Sequence, residues 1–174
     1  MKNANLVSLA GCALALALVM GCGAKSPATG AAPKTGADFF VIKVGDQTVR
    51  MQLAVLPHEM ERGLMDRRDL GADEGMLFIY RTPQAMGFWM HDTPTPLDIG
   101  FFTADGALVE IYQMLPFDEK PVRARSQELK FALELNQNWY RDHGVKPGVK
   151  LDLKAVAEAL KARDFEPRKF GLGD

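Results

Sequence analysis

From Phe39 onward the chain breaks into short apolar runs separated by Gly, Pro and charged residues, and most runs carry the two-residue period of strands. Phe39 to Val44 predicts a strand and Gly45-Asp46-Gln47 a tight turn. Thr48 to Val55 predicts a second strand, with Val49, Met51, Leu53 and Val55 buried against Thr48, Arg50, Gln52 and Ala54. Pro57, followed by Glu59 and Glu61, opens a short helix that Gly63 ends. The densest apolar stretch is Gly75 to Phe102. There Met76 to Tyr80 has the composition of a strand covered on both faces, Arg81 to Gln84 reads as a turn, and Ala85 to His91 as another strand. On that strand Met86, Phe88 and Met90 share one face, and Gly87, Trp89 and His91 the other. The prolines of Thr93-Pro94-Thr95-Pro96 cannot donate ladder hydrogen bonds and predict a loop before the strand Leu97 to Phe102.

The same reading continues to the end. Thr103 to Gly106 makes a hairpin turn, Ala107 to Met114 a strand, Leu115 to Gln127 an exposed flap, and Leu129 to Leu135 a strand. Asn136 to His143 predicts a short Asn-capped helix stopped by Gly144, and Val149 to Leu153 a last short strand. Lys154 to Phe165 predicts an amphipathic helix, followed from Pro167 by a frayed tail. The expected fold is mainly β with short peripheral helices (α+β), as a single domain built on a small bent sheet or barrel-like structure.

The N-terminus has a different pattern. Lys2 precedes an apolar stretch from Leu6 to Met20, too short for a comfortable membrane span, that closes on Val19-Met20-Gly21-Cys22. A small residue before a cysteine at that point is similar to the lipobox of bacterial lipoproteins. The resemblance implies a signal peptide over 1–21, lipidation at Cys22 and tethering of the mature chain to a membrane. Gly23 stands where an aspartate would favour inner-membrane retention, so the outer membrane, facing the periplasm, is the expected location. Residues 22–37, rich in Gly, Ala, Pro, Ser, Thr and Lys, have the composition of a flexible tether; 38–153 form the β-rich domain and 154–174 the helix and tail.

Cysteine and charge then exclude several chemistries. The two cysteines are Cys12 and Cys22, so the domain has no thiol for a disulfide, a nucleophile or a zinc site. A formal net charge of −1 argues against nucleic acid as the main partner. No Gly-rich phosphate loop occurs, and no cofactor is implied.

Arg62-Gly63-Leu64-Met65, Glu74-Gly75-Met76-Leu77-Phe78, and Phe88-Trp89-Met90 with Thr93 and Pro96-Leu97-Asp98 form an ordered series. It resembles the family known as domain of unknown function 192, over roughly Phe40 to Leu153. Leu133-Glu134-Leu135 and Gly144 to Gly148 extend the match. The resemblance implies a compact β-rich domain and brings no established reaction. Where the family commonly has a basic residue followed by asparagine, this chain has His91-Asp92, and where it commonly has a glycine turn, this chain has Asn136-Gln137-Asn138.

The candidate ligand-binding residues are Trp89, His91, Asp92, Thr93, Asp98 and Arg62. Asp98, entering an apolar strand, must be hydrogen-bonded or paired if buried. It either accepts from the Thr93–Thr95 backbone, pairs with Arg62, or serves as a ligand anchor or general base. Trp89 can stack on a planar ligand or cap the core. The first reading is a module that binds a small ligand or an envelope protein through a mouth formed by Trp89 to Asp98, with Arg62 as an anion contact. The alternatives are a hydrolase using Asp98 and His91, and a copper-handling protein using thioethers such as Met86 and Met90 with His91. Methionine as core filler competes with that last reading.

Overall fold

The computed structural model describes residues 33–173. In chain order the elements are β1 (Phe40–Val44), β2 (Gln47–Ala54), α1 (Pro57–Arg62), β3 (Glu74–Gln84), β4 (Gly87–Phe88), β5 (Leu97–Thr103), β6 (Leu108–Met114), β7 (Val122–Arg123), β8 (Leu129–Asn136), α2 (Trp139–Asp142) and α3 (Leu153–Ala162), followed by a 3-10 turn over Pro167–Phe170. Six strands form one mixed sheet in the order β1-β2-β3-β8-β5-β6, and β4 with β7 forms a two-stranded ribbon. The predicted mainly-β, α+β class is what the chain adopts.

β1 and β2 form the predicted hairpin, with Phe40 opposite Met51 and Val44 opposite Gln47. β2 and β3 run parallel, so their connection must cross over, and α1 lies in that crossover. The remaining neighbours are antiparallel. Lys150 and Leu151 bridge Ala107, just before β6, and Val44 of β1, linking the two sheet edges at one end. The sheet is therefore bent and open rather than a closed barrel, and the predicted strand Val149 to Leu153 reduces to those two bridges.

Strand parity divides the interior into two cores. Val49, Met51, Leu53, Leu77, Ile79, Leu133 and Leu135 point to the larger one, which α3, Trp139, Tyr140, Phe170 and Leu172 close. Met76, Phe78, Leu97, Ile99, Phe101 and Ala132 point to a smaller one beneath Leu64, Met86 and Met90. Gln52 and Ala54, expected on a solvent face, are buried: Ala54 belongs to this second core, and Gln52 is bonded to the Ala37 carbonyl and the Arg67 guanidinium.

Four local expectations are corrected. β3 does not turn at Arg81 to Gln84: Ile79 pairs with Phe131 and Gln84 with Leu129, so the intervening residues bulge and the strand resumes beyond Pro83. The strand expected over Ala85 to His91 shrinks to Gly87–Phe88, the two residues that find a partner in β7. Its alternation persists, since Met86 and Met90 are buried while Gly87 and Trp89 are exposed. The Asn-capped helix expected over Asn136 to His143 shortens to Trp139–Asp142: Asn136 ends β8, and Asn138, the residue before α2, holds a left-handed φ of 73° and makes no side-chain cap hydrogen bond. The tail is not frayed, because Phe170 and Leu172 are buried in the larger core.

Residues 33–37 lie against the domain: the Lys34 amide donates to the Ala162 carbonyl at 2.8 Å, and the Ala37 carbonyl accepts from Gln52 Nε2 at 2.9 Å. The expected signal sequence, Cys12, Cys22 and most of the expected tether lie outside the described residues.

Candidate functional site

The centre of the site follows from the sequence of β8. Along Phe131-Ala132-Leu133-Glu134-Leu135, alternation sends Phe131, Leu133 and Leu135 into the larger core and Ala132 and Glu134 towards the smaller one. Glu134 sits opposite Met76 of β3 and Ile99 of β5, in the middle of the sheet. It is 4% exposed, and no hydrogen bond or ion pair to its carboxyl occurs among the described residues. Burial pushes its pKa from 4.5 up to about 8, so the group is largely a neutral acid at pH 7.

That carboxyl opens on a recess of about 40 Å³. One wall is the turn that leaves α1, from Arg62 to Met65; the others are Phe78 of β3, Phe88 and Trp89 of the ribbon, and Thr93. The Phe78 and Phe88 rings meet edge to face with centroids 4.9 Å apart.

The sequence motifs account for this closeness. Gly63 ends α1 with φ 48°, a conformation that suits glycine, and a Cβ there would lie 3.4 Å from the Phe78 ring. Gly75 lets β3 approach β8; a Cβ would stand 2.2 Å from the Glu134 carbonyl oxygen. α1 is fixed by Glu59, which accepts from the amides of Val55 and Leu56, both at 2.9 Å, and pairs with the buried Arg163 at the end of α3. Burial opposes ionisation of Glu59, but the two amides and Arg163 outweigh it and hold its pKa below the usual value. Backbone and side-chain bonds then sew the two motif segments together. The Asp66 amide donates to the Asp92 carbonyl at 2.8 Å, and Thr95 Oγ1 donates to the Arg67 carbonyl at 2.6 Å.

Of the residues singled out in the sequence, Arg62, Trp89 and Thr93 line the recess. Thr93 is buried, and its hydroxyl donates to the His91 carbonyl at 3.0 Å, so it shapes the loop. Trp89 is 49% exposed and stacks on the His91 ring at 4.9 Å. Arg62 is exposed and reaches Asp66 at 3.5 Å rather than Asp98.

His91 does not end the expected strand; the ribbon strand stops at Phe88. His91 and Asp92 lie in a turn, with Asp92 at φ 48°, and His91 Nε2 approaches Asp92 Oδ2 at 3.4 Å. Asparagine and aspartate are the side chains that best tolerate that conformation, which explains why one can replace the other here. His91 Nδ1 meets Glu119 Oε1 of the flap at 2.9 Å, and this hydrogen bond raises the imidazole pKa. The flap is held further by the Met90 amide to the Asp118 carbonyl at 2.9 Å and the Phe117 amide to the Thr93 carbonyl at 3.2 Å.

Asp98 lies elsewhere. Leu97, Ile99 and Phe101 face the smaller core, so Asp98 faces the other side, where Oδ2 accepts from the Asn138 amide at 2.8 Å at the start of α2. It is 3% exposed, and burial raises its pKa while the Asn138 amide opposes the shift. Its partner is thus neither the Thr93–Thr95 backbone nor Arg62, and the sheet separates it from Trp89 and Thr93. Met86 and Met90 are buried in the smaller core. No group of three or more His, Cys, Asp or Glu side chains suited to a metal ion occurs among the described residues.

Glu134 was absent from the sequence-derived site. Its signal was a charge inside an otherwise apolar strand run, where an unpaired acid is rarely found. Larger cavities of about 460 and 570 Å³ flank α3, but neither is lined by a buried polar group without a partner among the described residues. Two cavities share walls with the recess: one of about 380 Å³ beyond Arg62, Gly63 and Met65, and one of about 270 Å³ beyond Phe88 and Trp89.

The family model DUF192, an uncharacterized ACR, matches residues 40–153. A chain from Sinorhizobium meliloti described as a candidate transcription regulator is 32% identical, with a TM-score of 0.61, over 65% of this chain and 91% of that one. A protein of unknown function from Novosphingobium aromaticivorans is 35% identical, with a TM-score of 0.59, over 65% of this chain and 82% of that one. Comparison with the curated proteins gives no match.

Proposed function

The chain belongs to the DUF192 family, and from that premise we propose that it is a ligand-binding module of the bacterial cell envelope, exported and lipid-anchored through Cys22. The observation that carries the binding reading is Glu134, a buried acid without a partner among the described residues, opening on a recess built from the family's own motif segments. Burying a carboxyl without hydrogen bonds costs the fold several kcal/mol, and such costs concentrate at functional sites. The recess admits one polar group of a ligand, and the cavities beyond its walls give the rest of a small molecule room to lie. Trp89, half exposed at the mouth, supplies the stacking surface.

Binding is favoured over hydrolysis because the acid–base pair that hydrolysis would use is split by the sheet. His91 engages the flap, and Asp98 engages α2. The copper reading loses ground because the Met86 and Met90 thioethers are packed in the core. The anchor rests on the lipobox-like Val19-Met20-Gly21-Cys22, and Gly23 favours the outer membrane. A near-balanced charge gives no support for extending the S. meliloti protein's regulator description to this chain.

A thermal-shift panel of cationic, neutral and anionic small molecules on the mature chain, with Trp89→Ala beside it, tests the binding module. A true ligand at a hundredfold excess over its Kd stabilises by about 2.7 kcal/mol. At least one class should raise the wild-type midpoint and fail to raise that of Trp89→Ala; no response to any class would refute the reading. Fatty-acid labelling and membrane fractionation of Cys22→Ala test the anchor, with loss of both expected.

A further inference from the structure

Resting on that binding reading, we infer that the recess is a subsite for an unbranched primary ammonium group, held by the Glu134 carboxylate and the rings of Phe78, Phe88 and Trp89. Size comes first: about 40 Å³ accommodates little more than the tip of a chain, and a trimethylated head is too large. The walls come second. Three aromatic side chains line the recess together with one carboxyl, a lining that favours a cation the carboxylate can pair, whereas a neutral hydroxyl gains only the hydrogen bond and an anion is repelled. The rim agrees with this. Glu61 lines the recess beside Arg62, whose guanidinium is already engaged by Asp66, and Asp92 and Glu119 surround His91 next to Trp89.

The exchange at the floor balances as one proton. The neutral Glu134 acid gives its O–H proton to solvent, the carboxylate forms, and the ligand's ammonium takes the vacated place as ion partner. Other ionisable groups around Glu134 are Glu61 and Arg62 at the end of α1 and Tyr80 of β3, with Tyr140 of α2 coupled to it from the opposite face. Strand β5 presents Ile99 and Phe101 on this side. Burial, then the Glu134 charge, raises the pKa of Tyr80, which keeps that phenol neutral through the range where Glu134 titrates.

Calorimetry on the mature chain in two buffers of different ionisation enthalpy, at pH 7, tests this with n-butylamine, n-butanol, choline, putrescine and glycerophosphoethanolamine. Butylamine should bind with release approaching one proton, butanol and choline should not bind, and Glu134→Gln should abolish the signal while melting no lower than wild type. Trp89→Ala should weaken butylamine severalfold. Tighter binding of putrescine or of glycerophosphoethanolamine tells whether the amine belongs to a free polyamine or to a lipid-type headgroup. Equal, Glu134-dependent binding of butanol and butylamine without proton release would overturn the ammonium assignment and leave the binding module standing. Amine binding that survives Glu134→Gln would also overturn the assignment. No binding by any probe would overturn the ammonium assignment, while the binding module falls only if the wider thermal-shift panel is silent as well.

Discussion

The two faces of β8 are built on opposite plans. Phe131, Leu133 and Leu135 enter the larger core, which α2, α3 and the tail seal. There Tyr140 buries its hydroxyl only by donating to the Leu133 carbonyl at 2.9 Å. On the other face, Glu134 lies under a two-residue ribbon, a turn and a loop, and its carboxyl meets an open recess. The buried acids repeat the contrast. Asp98 Oδ2 accepts from the Asn138 amide and so fixes the start of α2, with Oδ1 enclosed and unbonded among the described residues. Neither oxygen of Glu134 is hydrogen-bonded there, and its side chain lines an open recess. On one face the acid is tied to a neighbouring helix and closed off from any cavity. On the other the acid opens on a recess, and that difference is what makes it the candidate functional face.

The contrast can be broken most severely at Gly75. Its hypothetical Cβ would lie 2.2 Å from the Glu134 carbonyl oxygen and 2.6 Å from Leu135 Cδ2, so Gly75→Ala must push β3 from β8. A loss of about 3 kcal/mol or more in urea unfolding is expected; a loss below about 1 kcal/mol would mean the strands are not packed this closely.

Glu134→Gln is next, and its effect depends on pH. The native group titrates near 8 against 4.5 when solvated, so between those values the folded chain holds more protons than the unfolded one. Wild-type stability should fall as pH rises from about 4.5 to about 8, then level off, for a total of several kcal/mol. The variant should lack that slope, giving a melting midpoint above wild type at pH 9 and similar to it at pH 4. Parallel pH profiles would show that burial does not penalise this acid.

Asp98→Ala removes the acceptor of the Asn138 amide and should cost about 1–3 kcal/mol while leaving ligand binding at the recess unchanged. An Asp98 variant that folds normally but no longer binds would erase the distinction between the faces. The smallest effect is at the flap. Glu119 raises the His91 pKa by hydrogen bonding, so the small stability this contact adds is present below pH 6.5 and lost as pH rises through the raised value. In Glu119→Gln the His91 imidazole resonances should titrate at lower pH than in wild type.

Much of the fold was legible because strand periodicity is local. β1, β2, β5, β6 and β8 fall where alternation placed them, and Gly63 and Gly144 end their helices as expected. What escaped depends on partners distant in the chain. The bulge that carries β3 past Pro83 is set by the register with β8, β4 is cut short by what β7 can pair, and the tail orders because Phe170 finds the larger core. The site divides in the same way. Arg62, Trp89 and Thr93 were found through composition and motif, and they do line one recess. Asp98 was grouped with them by proximity in sequence, but parity from Leu97 turns it to the far face. Glu134 went unassigned although its charge stood out, because its lack of a partner depends on Met76, Ile99 and the covering loop.

The central claim is that Glu134, without a partner among the described residues, is an acid held neutral by burial. The most direct test is a carbon-13 NMR titration of the Glu134 carboxyl in the free protein, assigned by its loss in Glu134→Gln. A midpoint near 8 is expected; a midpoint near the ordinary 4.5 would mean the group is solvated or paired, and the recess would lose its claim to be the site.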